Sequence, residues 1–213
     1  DKKTPIIDKD SKISLIYIGD FIVEILKIIE TDKPLDLNTR LINEYNVSEI
    51  LVKLNLFNDL YINKGQMPNV SLYFDLCLFN TFRSYIDINS FYPRKHKEFK
   101  DIRGVFSELA RAFSEGQVSY SITKKGEIRG NHFHTRKIER FSVIKGKARI
   151  QLREILSEEV SEFIIDGNQP SYVDMPVWYT HNIQNIGDDD LITVFWINEH
   201  YQEDTSDTYL ENV

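Results

Sequence analysis

Apolar residues follow two rhythms along the chain, and the change comes near residue 97. Behind Asp20, a residue type that caps helices, Phe21, Ile22, Ile25, Leu26 and Ile29 recur at the 3.6-residue helical period. Ser48 and Glu49 open a second such run, with Ile50, Leu51, Leu54 and Phe57 on one face. A third, from about Ser71 to Tyr85, aligns Leu72, Leu76, Phe79 and Phe82. Pro34 and Pro68 fall between these helices, where a residue without an amide hydrogen belongs. After Pro93 the basic stretch Arg94-Lys95-His96-Lys97 reads as a linker. Beyond it the pattern alternates. Segments 117–123, 140–144, 148–153, 162–165, 171–174 and 191–196 are rich in β-branched and aromatic residues and are punctuated by glycine. Short strands at such spacing predict an all-β sandwich or barrel.

Charge divides at the same place. Of 26 basic and 33 acidic residues, residues 1–97 hold 13 of each, so the net charge of −7 belongs to 98–213. That balance argues against a nucleic-acid binder, whose affinity rests on neutralising phosphates. No apolar run reaches the length of a membrane span. The single cysteine, Cys77, excludes an internal disulfide and a cysteine-rich zinc site. A cytoplasmic protein is expected, since such cysteine thrift suits a reducing compartment.

The chemistry concentrates in the β part. Gly126, His132, His134, Glu139 and Gly146 form one block, and Pro176, His181 and Asn185 a second. Histidines at i and i+2 of a strand share a face. Two imidazoles placed so can converge on one ion at about 2.0–2.1 Å. Glu139 and His181, delivered from neighbouring strands, would complete a shell of three nitrogens and one oxygen. That shell suits zinc, iron, manganese, nickel or copper, and zinc is the first expectation for one divalent ion. Gly126, Gly130 and Gly146 read as turn glycines.

The two blocks resemble the cupin motifs G(X)5HXH(X)4E(X)6G and G(X)5PXG(X)2H(X)3N. The first matches at every defined position; in the second, Trp178 replaces the inner glycine and Pro170 the first one. The departure bears on turn geometry more than on the metal shell. Further text, including Asp101–Glu108, Gly116–Thr123, Arg129–His134, Lys137–Phe141, Ile144–Ala148, Tyr179–Ile183, Phe195–Glu199 and Asp207–Tyr209, is similar to the C-terminal cupin of the CapF family of capsule-assembly enzymes. Residues 1–97 resemble, more loosely, the last third of the short-chain reductase domain that this family fuses to its cupin, on Leu15–Asp20 and Phe79–Tyr85.

The resemblance implies a mainly β chain: a metal-binding cupin (jelly-roll-like) β-barrel over 98–213, preceded over 1–97 by an α-helical remnant of an α/β reductase domain. It implies epimerisation at C3 of a UDP-linked 4-keto-6-deoxy amino sugar, on the way to UDP-N-acetyl-L-fucosamine. NADPH reduction at C4 would belong to the reductase part. Neither a Gly-rich dinucleotide fingerprint nor a helical Tyr-x-x-x-Lys pair is present, and the chain starts at Asp1. A fragment of a longer enzyme, binding no NADPH itself, is therefore expected. Tyr120 and Lys124 match the Tyr-x-x-x-Lys spacing, but on an alternating strand.

Within that chemistry Lys137, between the metal ligands in sequence, is the first candidate for proton transfer or substrate anchoring; otherwise it is an exposed hairpin lysine. His200 is a second acid/base candidate or a solvated loop residue. Tyr179 and Trp178 either wall the pocket, with Tyr179 available as a catalytic group, or simply pack. Arg129 and Arg136 either bind the diphosphate or are surface charge. His96 belongs to the linker. Competing readings are a 4-keto-sugar ketoisomerase, a metal-dependent cupin oxygenase and a non-catalytic dimerisation module. A homodimer is expected, because open barrel edges invite pairing.

Overall fold

The computed structural model describes residues 5–31, 42–102, 104–113, 115–200, 202, 204 and 206–213. Pro34 lies outside them. Two five-stranded antiparallel sheets face each other in the β part. One runs, in spatial order, β10 (Val160–Asp166), β9 (Lys147–Glu154), β12 (Tyr179–Asn185), β7 (Ile128–Phe133) and β14 (Tyr209–Leu210). The other runs β3 (Arg94–Lys95), β11 (Ser171–Met175), β8 (Glu139–Lys145), β13 (Leu191–Ile197) and β6 (Gln117–Thr123). Alternation places Phe141, Val143, Ala148, Ile150, Leu152, Phe163, Ile165, Val173, Met175 and Ile183 between the sheets, where they form the barrel core. This is the two-sheet β architecture that the alternation predicts.

The expected strands are all present, within a few residues. β7 and β12 lie outside the alternating segments because glycine, asparagine and histidine occupy positions that apolar residues would otherwise mark. Arg94–Lys95, read as linker, instead pairs with Ser171–Tyr172 at the sheet edge. Two small antiparallel pairs complete the strands: β1 (Lys12–Leu15) with β2 (Asn43–Asn46), and β4 (Glu98–Asp101) with β5 (Gly104–Ser107).

The helical part holds α1 (Ile18–Thr31), α2 (Val47–Phe57), α3 (Tyr73–Ser84) and the short α4 (Ile88–Phe91). Asp20 lies in the first turn of α1 rather than capping it, where its charge still complements the helix dipole. Asn46 is the N-cap of α2, and the Glu49 carboxylate accepts its backbone N–H at 2.7 Å. α2 continues through a π-helical turn, Asn58–Asn63. Phe57, Tyr61, Met67, Val70, Leu76 and Phe79 form a second core that also buries Ile138 and Trp196 of the barrel. The helices α2 and α3 therefore pack on the outer face of the β8-containing sheet. By contrast, α1 leaves Ile18, Ile22, Val23, Leu26 and Ile29 exposed.

Polar groups fix this packing. Arg140 Nε and Nη2 donate to the two oxygens of Asp174 at 2.7 and 3.0 Å, and its Nη1 donates to the Gly65 carbonyl at 2.8 Å. The Tyr61 hydroxyl donates to Asp174 at 2.7 Å, and Arg83 donates to the Met175 carbonyl at 2.8 Å. His96, read as a linker residue, instead tilts against the Tyr172 ring and lies 3.1 Å from the Ser142 hydroxyl.

Candidate metal centre

Strand pairing assembles the cluster. His132 on β7 stands opposite His181 on β12, and the ladder between these strands bulges between His181 and Asn182. Gly130 makes the bulge possible. It sits at φ 102°, and a β-carbon there would lie 2.6 Å from the His181 carbonyl oxygen. Gly130 is therefore a close-approach glycine within a strand, not a turn glycine, whereas Gly126 has open space around it. His134 follows β7, and Glu139 opens β8 facing inward. The candidate ligand atoms of His132, His134, Glu139 and His181 all lie within 4.8 Å of one another.

Two of the three rings, those of His134 and His181, are set by their other nitrogen. His134 Nδ1 is 2.5 Å from the Asp207 carbonyl oxygen, and His181 Nδ1 is 3.2 Å from that of Tyr179. A carbonyl can only accept, so the proton sits on Nδ1 and the Nε2 lone pair points into the cluster. His134 Nε2 and His181 Nε2 lie 3.1 and 3.3 Å from Glu139 Oε2. None of these three buried atoms has a partner in hydrogen-bond geometry. Buried acceptors that face one another without a donor are costly, and a cation between them removes the cost. The residues present fit a divalent metal: three imidazole nitrogens and one carboxylate oxygen, with donors already oriented.

The electrostatics agree for Glu139 and His132. Burial works against the Glu139 charge, but His134 and His181 beside it hold its carboxyl well below the usual range. Burial pushes the His132 pKa down to about 4, with His181 and His134 adding to the shift, so its imidazole stays neutral and able to ligate. For His134 the direction is opposite: burial opposes protonation, but the neighbouring Glu139 outweighs it and the pKa rises, so a cation bound here would take the place of a proton on Nε2.

Around the cluster, Lys137 is buried at 3% exposure, which removes the hairpin-surface alternative. Its ammonium donates to the Ser206 carbonyl. Trp178 keeps the glycine-type backbone of the motif position it fills, at φ 64°, and stacks on Phe133 with ring centroids 5.8 Å apart. Tyr179 packs against the barrel core. Arg136 is held by Glu199 through two hydrogen bonds of 3.2 and 3.0 Å. Exposed His200 shares a cavity of about 360 Å³ with Arg136, Asn198 and Glu199 rather than joining the four ligands. Arg129 is exposed on β7 and donates to Thr123 Oγ1 at 3.0 Å. Asn185 shapes a turn: its amide donates to the Thr123 and Asp189 carbonyls, each at 2.8 Å.

One participant is not marked by residue type or spacing. Asp207, at φ 45°, accepts from the backbone N–H groups of Thr135, Arg136 and Lys137 at 3.0–3.3 Å and from the Thr135 hydroxyl at 2.6 Å. It stands 73 residues from His134, so no local pattern could reveal the pairing.

Comparison with known proteins gives the cluster its context. Over 203 residues the chain is 28% identical to the UDP-2-acetamido-2,6-beta-L-arabino-hexul-4-ose reductase of Pseudomonas aeruginosa, covering 95% of this chain and 54% of that protein. The capsular polysaccharide assembling protein CapF from Staphylococcus aureus is 32% identical, with 99% of this chain and 62% of that chain covered and a TM-score of 0.47. The dTDP-6-deoxy-D-glucose-3,5-epimerase RmlC from Legionella pneumophila, solved with dTDP-4-keto-L-rhamnose, is 19% identical. That match covers 52% of this chain and 67% of that one, with a TM-score of 0.45. The chain thus spans between half and two thirds of the length of its first two relatives. Residues 99–209, which contain all four candidate ligands, match the polysaccharide biosynthesis C-terminal domain, and the chain belongs to that family.

Proposed function

We propose that this chain is a metal-dependent nucleotide-sugar epimerase domain. It inverts C3 of a UDP-linked 4-keto-6-deoxy-N-acetylhexosamine during synthesis of UDP-N-acetyl-L-fucosamine for surface polysaccharide. The observation that carries this reading is the buried convergence of His134, His181 and Glu139, with His132, at atoms that lack hydrogen-bond partners. Membership of a polysaccharide-biosynthesis family supports it, as does likeness to a protein named for a UDP-linked hexul-4-ose.

Removing a proton α to a ketone places negative charge on the ketone oxygen. A divalent cation, zinc in our reading, supplies Lewis-acid stabilisation of such charge when held by His132, His134, Glu139 and His181. The remaining work falls to the chain. Lys137, buried between the ligands in sequence, is the first candidate to move a proton or anchor the sugar. Burial, then Glu154 and Glu159, raise the Tyr179 pKa, so its phenol stays protonated and can donate. His200 and Arg136 share a cavity suited to a polar part of the substrate, and Arg129 is a second candidate for the diphosphate. Trp178, at 38% exposure, offers an apolar wall. Reduction at C4 with NADPH belongs to the part of the relatives that this chain does not span. We further propose that the protein works as a cytoplasmic homodimer; no described helix is long and apolar enough to cross a membrane.

The test is proton exchange. Metal-loaded protein is incubated in D2O with the UDP-linked 4-keto-6-deoxy-N-acetyl sugar and followed by NMR. Deuterium appearing at C3, and failing to appear with His132→Ala protein, is the expected result. Ketone migration would support the isomerase reading instead, and absence of exchange in a folded, metal-loaded sample would leave an assembly module.

A further inference from the structure

We propose that Asp207 is a positioning residue of the metal centre and that the C-terminal segment 206–212 is the clasp through which it acts. The inference rests on the metal reading above. The four ligands come from β7, its immediate extension, β8 and β12, yet the ring of His134 is oriented by none of these strands. Its Nδ1 proton goes to the main-chain carbonyl of Asp207. The side chain of the same residue gathers the backbone amides of Thr135, Arg136 and Lys137 and the Thr135 hydroxyl. One residue therefore ties the His134 ring and the turn that follows it to a single point.

The geometry is over-determined. Asp207 is 6% exposed and adopts φ 45°, a left-handed conformation that a non-glycine residue keeps only when its surroundings hold it. On the C-terminal side the segment is pinned again. Tyr209 and Leu210 pair with Phe133 and His132, and the Glu211 amide donates to the Asn131 carbonyl at 3.0 Å. The Thr180 hydroxyl donates to the Glu211 carbonyl, and Arg153 Nη2 donates to Glu211 Oε1 at 2.8 Å. On the N-terminal side Lys137 donates to the Ser206 carbonyl. Without the carboxylate, the carbonyl of residue 207 drifts, and His134 loses the bond that keeps its proton on Nδ1 and its Nε2 lone pair on the ion. Partners that orient a metal-bound histidine typically contribute 10–100-fold to metal affinity.

Three variants of the full chain separate this role from general stability. Asp207→Ala is expected to weaken zinc binding, measured by competition with a chromophoric chelator, about 10–100-fold. Asp207→Asn tolerates the left-handed backbone and keeps one acceptor, so it should recover part of that loss. Arg153→Ala loosens the far end of the segment and should leave affinity within about threefold. In the metal-free protein, at a pH alkaline enough to keep His134 neutral, long-range 1H–15N NMR should show its proton on Nδ1, with mixed tautomers in Asp207→Asn. Wild-type affinity and an unchanged tautomer in the Asp207 variants would overturn the proposal. Should Asp207→Ala not fold, Asp207→Asn decides. Failure of the wild-type chain to take up zinc would sink the metal reading, while the tautomer measurement would still decide whether Asp207 orients His134.

Discussion

Glu139 and Arg140 are neighbours on one strand, and they meet opposite fates. Both are buried, at 6% and 2% exposure, and both carry charge on opposite faces of the same sheet. On the outer face, Arg140 has its donors answered by Asp174 and the Gly65 carbonyl, while Asp174 also takes the Tyr61 hydroxyl. On the inner face, Glu139 and two histidines bring acceptors together with no donor between them. A closed network of this kind holds two structural layers together. An open one of equal burial would be completed by the cation proposed above. The difference lies in completeness rather than in charge or depth, and it is what makes the inner cluster a candidate ligand site and the outer one a structural ion pair.

The largest effect should come from breaking the closed network. Arg140→Leu leaves Asp174 buried and charged with the Tyr61 hydroxyl but without its bidentate cation, and should lower unfolding free energy by about 3–5 kcal/mol in urea denaturation. Zinc uptake by the folded fraction should persist. A smaller loss is expected from pH on the same face. Burial, with Arg140 nearby, lowers the His96 pKa to about 4, below its ordinary value of 6.5. The unfolded chain therefore binds a proton that the folded one refuses between these values, so stability is full above pH 6.5 and falls toward pH 4. The loss is on the order of 1–3 kcal/mol once solvent screening is allowed for. His96→Gln should flatten that slope in denaturation curves collected across the range.

On the inner face the order reverses, with function lost before stability. Glu139→Gln in metal-free protein removes a desolvated carboxylate and should change unfolding free energy by no more than about 1 kcal/mol, while abolishing zinc uptake. The smallest change is expected at Trp178. Glycine there relieves the cost of φ 64° but gives up the stack on Phe133, two terms of about 1 kcal/mol that nearly cancel. Its melting temperature should stay within a few degrees of the parent, and a large drop would mean that the ring does more than pack.

Much of this is legible in the sequence, and for physical reasons. Metal ligation constrains residue type and spacing together, so His132, His134, Glu139 and His181 stand out from the amino-acid order alone. Strands with one dry face announce themselves by alternation, as in segment 148–153. β7 and β12 do not, because the residues that build the site displace the apolar ones that mark a strand. The helix α2 is visible, but Ser48 competes as its opening residue with Asn46 two positions earlier, since both residue types cap well, and the chain uses Asn46. The closed network is illegible: Tyr61 and Asp174 stand 113 residues apart, and nothing local ties them. Asp207 is hidden for the same reason. Lys137 illustrates a third case, where position in sequence suggests a role but only burial excludes the surface alternative.

The account stands on the inner cluster being a metal site, and X-ray absorption at the zinc edge tests that most directly. Protein loaded with one equivalent of zinc should show a first shell of nitrogen and oxygen at about 2.0–2.1 Å with imidazole outer-shell scattering, and Glu139→Gln protein should lose it. A zinc ion surrounded only by water oxygens, or a signal unchanged in Glu139→Gln, would contradict the account.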